Sequence, residues 1–279
     1  MRPSRPSRTA EAVCFMRAAE RLRAPPGRIL DDPYAATFLG PAPRAALAAG
    51  PLAALGFPPL ATFVVARHRF IDDALAAALS GPVAQVVLLG AGYDSRAWRF
   101  AEAFAGRPVF EVDHPATQAR KARLAAHLPP APNLRRVPID FQTETLADVL
   151  PAAGFRVGAP AFFVWEGVTM YLHDQAVRST LTTLRALGGV GSSLAMDAWH
   201  RLEGTGPVGA ANRIAARGLA LVGEPITFGL PPDDAPRFLA ELGWTTVDLA
   251  DALALERRYV HDGRRVYPAD YVLIAERLG

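Results

Sequence analysis

The sequence predicts a doubly wound, mostly parallel α/β sheet, and three observations carry that prediction. The first is Val86-Val87-Leu88-Leu89, an uncharged run that breaks abruptly into Gly90-Ala91-Gly92. A strand covered on both faces needs no alternation of polar and apolar residues, so the run reads as a buried parallel strand. The second is the regular alternation of such runs with helix-like segments once the first 80 or so residues are passed. The third is a second strand, Val109–Asp113, that ends in acid. Strand, glycine turn, helix, then a strand closing on a carboxylate is how a Rossmann-type sheet holds a nucleoside. The backbone serves at the turn and the carboxylate on the ribose hydroxyls.

Taken in order, residues 1–80 are helix-like and interrupted by Pro and Gly, with one helix over Thr62–Leu79. Strands follow at Val86–Leu89, Val109–Asp113, Leu134–Ile139, Ala161–Trp165, Ser193–Asp197, Thr245–Leu249 and Tyr271–Ala275, a seven-stranded sheet. Helices fall between them at Pro115–His127, Thr143–Leu150, Asp174–Leu187 and Asp233–Leu242. His173-Asp174 ahead of an apolar-periodic run fits a capped start, and Gly188-Gly189 a stop. Two segments stand outside the alternation: the N-terminal helical segment 1–80, and 198–232, rich in Gly and Pro. The expected organisation is therefore 1–80 as a helical or lid segment and 81–279 as a Rossmann-like domain. A lid insertion at about 198–232 would lie over the carboxyl ends of the strands, where α/β proteins bind ligands.

Composition narrows the function classes. A chain of 279 residues, 51% hydrophobic and 20% charged, has the make-up of a globular enzyme rather than a disordered segment. The net charge is only +3, Lys121 is the one lysine among 30 basic residues, and no basic run appears, which argues against nucleic acid. The single cysteine, Cys14, rules out an intramolecular disulfide and a Cys-rich zinc site, and no metal site is expected. Met1–Arg8 lacks the apolar stretch of a secretory signal. Ala45–Ala66 is uncharged, but Gly50, Pro51, Gly56, Pro58 and Pro59 argue against a continuous spanning helix. The expectation is a cytoplasmic protein off the membrane, with the oligomeric state open.

Which nucleoside cofactor follows from the turn. A dinucleotide fingerprint wants Gly-x-Gly-x-x-Gly, and here Ser95 stands at the third position. Asp94 adds a negative charge that sits badly beside a pyrophosphate at a helix N-terminus. S-adenosylmethionine has no phosphate, and its amino-acid end offers an ammonium and a carboxylate. The turn therefore favours S-adenosylmethionine over NAD, with an NAD-dependent oxidoreductase as the competing reading.

The motifs then resemble a known family. Gly90-Ala91-Gly92-Tyr93-Asp94-Ser95-Arg96, Glu111-Val112-Asp113-His114-Pro115 and Glu166-Gly167-Val168-Thr169-Met170-Tyr171-Leu172 are similar to the leucine carboxyl methyltransferases. The likeness is to their bacterial branch of S-adenosylmethionine-dependent methyltransferases. Arg28–Ala35, Ala66–Asp73, Asp140-Phe141 and Phe228–Pro231 match that branch in the same order, across roughly residues 28–275. Two small departures are Ser95, where Thr is usual, and Phe141, where Leu commonly follows the Asp.

The resemblance implies roles. Arg67 would clamp the methionine carboxylate through a bidentate pair; by itself it would read as a surface Arg on the Thr62–Leu79 helix. Gly90 and Gly92 would let backbone pass under the cofactor, and otherwise make a tight turn. Asp113 would accept from the ribose hydroxyls. Asp140 would accept from the adenine amino group and Phe141 frame the base, although an Asp closing a strand is often a turn or cap residue. Glu166 would contact the ammonium, or else hold a structural partner. Tyr93, Tyr171 and Trp199 are candidates for lining the acceptor pocket, with core packing as the alternative. The implied reaction is in-line methyl transfer to an oxygen, preferably a carboxylate of a secondary metabolite, which needs no base. A hydroxyl acceptor would use one, and His114, Tyr171 and His200 are within the right segments. A protein that binds the cofactor without transferring methyl remains a further alternative.

Overall fold

The computed structural model describes residues 8–50, 58–141, 143–200, 209–210, 213, 217 and 225–279. Most of the expected lid at 198–232 lies outside the described residues, as do residues 51–57 of the uncharged stretch Ala45–Ala66. In chain order the main elements are α1 (Arg8–Glu20), α2 (Pro41–Ala48), α3 (Pro59–Leu79), β1 (Gln85–Leu89), α4 (Arg96–Arg99), α5 (Ala101–Phe104) and β2 (Val109–Asp113). They continue with α6 (Pro115–Leu124), β3 (Leu134–Pro138), α7 (Leu146–Ala152), β4 (Ala161–Trp165) and α8 (Asp174–Leu187). The last are β5 (Ser193–Trp199), α9 (Ala235–Glu241), β6 (Trp244–Ala250), α10 (Ala252–Tyr259) and β7 (Asp270–Arg277).

The seven strands form one sheet in the order β3-β2-β1-β4-β5-β7-β6. The β1, β2, β3, β4 and β5 pairings are parallel, and β7 runs antiparallel between β5 and β6. Sequence order reverses between β1 and β4, so the crevice outside their carboxyl ends is where such a sheet binds ligands. The uncharged runs are uncharged because both sheet faces are covered. Val87, Leu89, Phe163 and Trp165 face α7, α8 and α9, while Val86, Leu88, Phe162 and Val164 face α3 and α10.

Local differences from the sequence reading have local causes. The helix expected from Thr143 begins at Leu146, because the Thr143 and Glu144 N–H groups close a turn on the Asp140 carbonyl. The helix expected to His127 tightens to a 3₁₀ turn at Ala125–His127. His173 stands at the start of α8 in extended conformation but its side chain makes no cap bond, and α8 stops at an extended Gly188. Among the described residues, no helix is long and apolar enough to cross a membrane.

Candidate active site

The glycine turn needs its glycines for two separate reasons. Gly90 and Gly92 sit at φ +63° and +45°, the left-handed region. A Cβ on Gly90 would also lie 2.4 Å from Val168 Cγ2, so the segment after β4 packs directly on the turn. The Gly92 N–H donates to Asp113 Oδ2 at 2.5 Å, and the His114 N–H donates to Asp113 Oδ1 at 2.6 Å. Asp113 thereby ties the turn to the end of β2, with spare lone pairs on both oxygens. Burial pushes its carboxyl up in spite of these two donors. Asp140 follows β3 and holds the turn described above; the Phe141 ring is 64% exposed.

Beneath the turn lies a continuous buried ionic chain. Arg67 is 4% exposed, not the surface arginine that helix periodicity alone would suggest, since α3 buries this face against the sheet. Its Nε donates to Glu166 Oε1 at 2.8 Å and its Nη1 donates to Asp197 Oδ2, while Nη2 makes neither contact. Glu166 Oε1 also accepts from His68 Nδ1 at 2.7 Å, and Glu166 Oε2 accepts from Arg96 Nη1 at 2.9 Å. His68 Nδ1 must carry the hydrogen, because its other neighbour, the Val64 carbonyl at 3.0 Å, is also an acceptor. Burial pushes the imidazole below its ordinary range against the pull of Glu166, so it pairs as a neutral donor. Burial alone would raise Glu166, but His68, Arg67 and Arg96 hold it well below the usual carboxylate range.

From Arg96 the chain runs outward. Its Nη1 donates to Asp94 Oδ2 at 2.5 Å and its Nε to Asp72 Oδ1 at 2.7 Å; Arg99 Nη1 donates to Asp72 Oδ2. Arg99 Nε donates to Ser95 Oγ at 2.9 Å, Ser95 Oγ to Asp32 Oδ2 at 2.7 Å, and Arg17 Nη1 to Asp32 Oδ2 at 3.0 Å. Arg17 Nη2 closes the chain on the Tyr93 carbonyl at 2.5 Å. Asp94, read from sequence as a charge facing the ligand, is instead turned onto Arg96. Burial pushes its carboxyl up, but Arg96, Lys121 and Arg17 together hold it at about 2. Ser95 sits where a third glycine would because its hydroxyl is a link in this chain.

The remaining candidates separate. Trp199 is buried with Met170 and Ala269, its ring 5.8 Å from that of Tyr267, and Tyr171 packs on the same cluster. Tyr93 is not with them: it is buried in a different cluster under α1, stacked on Phe38 at 6.0 Å. His114 Nδ1 accepts from the Ala116 N–H at 3.2 Å and so caps α6. Among the described residues, no group of three or more His, Cys, Asp or Glu is placed to hold a metal ion. Sequence reasoning missed Asp197, Asp270, Arg96 and Arg17. Asp197 had a visible signal, an acid inside the otherwise apolar end of a strand, the same signal that marks Asp113.

Comparison with known proteins gives the family. Residues 10–185 match the model of the family described as leucine carboxyl methyltransferase. A Parafrankia sp. protein that is an S-adenosyl-L-methionine-dependent methyltransferase by name is 38% identical over 199 residues, 68% of this chain and 62% of its own length. One from Mycobacterium avium with the same name is 33% identical over 253 residues, covering 85% of this chain and 82% of its own. The crystal structure of a DUF574 family protein from Streptomyces avermitilis superposes with a TM-score of 0.63, covering 98% of both chains at 17% identity, a likeness of fold. The chain belongs to the leucine carboxyl methyltransferase family.

Proposed function

We propose that this chain moves the methyl group of S-adenosylmethionine onto an oxygen of a small-molecule acceptor, a carboxylate first and a hydroxyl second. S-adenosylmethionine-dependent methyl transfer belongs to it as a family member; the oxygen acceptor is our reading. The observation that supports the cofactor site best is the Arg67–Glu166–Asp197 group at the switch point of the sheet. An amino-acid end brings one ammonium and one carboxylate, and this group holds a cation between two acids. Arg67 Nη2, outside both pairs, is suited to the carboxylate, and Glu166 and Asp197 to the ammonium. Asp113 has lone pairs left for ribose hydroxyls, with Asp140 and the exposed Phe141 ring one strand further along for the base.

When bound, S-adenosylmethionine supplies a methyl group on positive sulfur for in-line transfer to an oxygen nucleophile. The chain's residues have then to align the two partners and keep water out. A carboxylate acceptor is ionised at neutral pH and asks for no base, whereas His114 already has its Nδ1 engaged in the α6 cap. We take a secondary-metabolite acid as the acceptor and the cytoplasm as the setting, which suits a lone, buried, unpaired Cys14.

Calorimetry tests the site. Asp113→Ala should weaken S-adenosylmethionine binding by at least about tenfold with the circular dichroism spectrum unchanged. Unchanged affinity in a folded variant would show the ribose to be misplaced. Heat with NAD and none with S-adenosylmethionine would overturn the cofactor. Incubation with methyl-labelled cofactor and a panel of carboxylic acids and phenols tests transfer, and tight binding with no labelled ester or ether would sink the oxygen acceptor.

A further inference from the structure

Because β7 runs against β5, its first residue lies at the carboxyl edge of the parallel strands, in register with Trp199. That residue is Asp270. It is 4% exposed, and its Oδ1 is buried with no hydrogen-bond partner among the described residues. A buried polar atom left without a partner is costly, so such an atom calls for an explanation. The charged groups that face it are Asp197 from β5 and Arg67 from α3. Among the described residues Arg67 is the cation that faces it, and its Nε and Nη1 are engaged with Glu166 and Asp197. Burial first, and Asp197 second, push the Asp270 carboxyl well above the usual range against the pull of Arg67. A carboxyl pushed up in this way favours its protonated form, and a protonated carboxyl offers an O–H donor.

The surroundings of this donor are apolar and aromatic. Trp199 lies opposite, its ring tilted against Tyr267, with Met170 and Tyr171 in the same cluster. Arg67 and Asp197, the groups assigned above to the cofactor's amino-acid end, are the charged groups that face Asp270. An ionised Asp270 would repel an anionic acceptor, whereas a neutral O–H welcomes one. We propose that Asp270 binds the methyl acceptor, its carboxyl O–H donating to one oxygen of an aromatic carboxylate seated beside Trp199 and Tyr267. The proposal rests on the function proposed above. The donated bond would hold one carboxylate oxygen and leave the other free to face the methyl group.

The test uses the full chain with benzoate as probe. Calorimetry first measures S-adenosylhomocysteine binding, then benzoate binding to the saturated protein. Asp270→Asn keeps an N–H donor in the same shape, and Asp270→Ala removes it. Wild type and Asp270→Asn should bind benzoate within about threefold of each other, and Asp270→Ala at least about tenfold more weakly. All three should bind S-adenosylhomocysteine alike. Benzoate affinity that is equal in Asp270→Ala, absent in wild type, or lost equally in Asp270→Asn overturns the assignment. Failure of S-adenosylhomocysteine to bind wild type overturns the cofactor site itself and this inference with it. An infrared difference spectrum, wild type minus Asp270→Asn, reads the proton without any ligand. A protonated-carboxyl C=O band at neutral pH is expected, and a carboxylate band in its place refutes the donor.

Discussion

Glu166 is a junction of the site, since two arginines and a histidine converge on its two oxygens. Removing one partner from a buried ionic cluster leaves the others uncompensated and costs about 3–5 kcal/mol. Glu166→Gln should therefore lower unfolding stability by about that amount at pH 7, read by urea titration. The sign with pH follows from the depressed carboxyl. Its folded value lies well below the ordinary 4.5, so its contribution is complete above pH 4.5 and fades as pH falls through the folded value. The gap between wild type and Glu166→Gln should shrink below pH 4.5; a gap that is constant with pH would show Glu166 to be unimportant as a charge. This residue also marks what the sequence makes legible. An acid ending an apolar strand announces itself, as Glu166 and Asp113 do. The partners of that acid do not, because Arg67, His68 and Arg96 look like ordinary surface groups until packing against α3 buries them.

At the scale of elements, β1 and β4 were legible because burial on both faces leaves them free of charge. β2 and β4 begin and end where the sequence reading places them. Helix starts were less so, since α7 yields its first turn to backbone bonds on Asp140 that propensity does not announce. Tyr93 shows a further limit: a position beside the glycine turn gives no sign of which way the ring points, and here it points under α1. The turn itself makes a sharp prediction. Gly90→Ala adds a Cβ 2.4 Å from Val168 Cγ2 at φ +63°, so it meets both a clash and backbone strain. It should cost about 2–4 kcal/mol, with the double variant Gly90→Ala/Val168→Ala recovering the steric part only. Thermal melts of the single and double variants check this, and a silent Gly90→Ala would mean that the turn is far softer than its geometry implies.

For the molecule as a whole, the doubly wound topology was legible, but the way the first 50 residues join it was not. α1 does not simply cover the sheet. Arg17 reaches the Tyr93 carbonyl 76 residues away, and Glu20 at the other end of the same turn of helix accepts both from the Ile29 N–H at 2.7 Å and from Arg264 Nη1, 244 residues away, at 2.7 Å. One short helix thus fastens the glycine turn to the C-terminal part of the chain. Contacts so far apart in sequence form late, since chain closure must precede them. In refolding from urea, the far-ultraviolet signal of the sheet and helices should therefore recover before S-adenosylhomocysteine binding does. Stopped-flow circular dichroism against ligand-binding kinetics reads the lag, and simultaneous recovery would show that α1 docks early. The order of assembly would then decide when, during its own synthesis, the chain first becomes able to hold its cofactor: not when the glycine turn emerges, but only once Arg264 has been made.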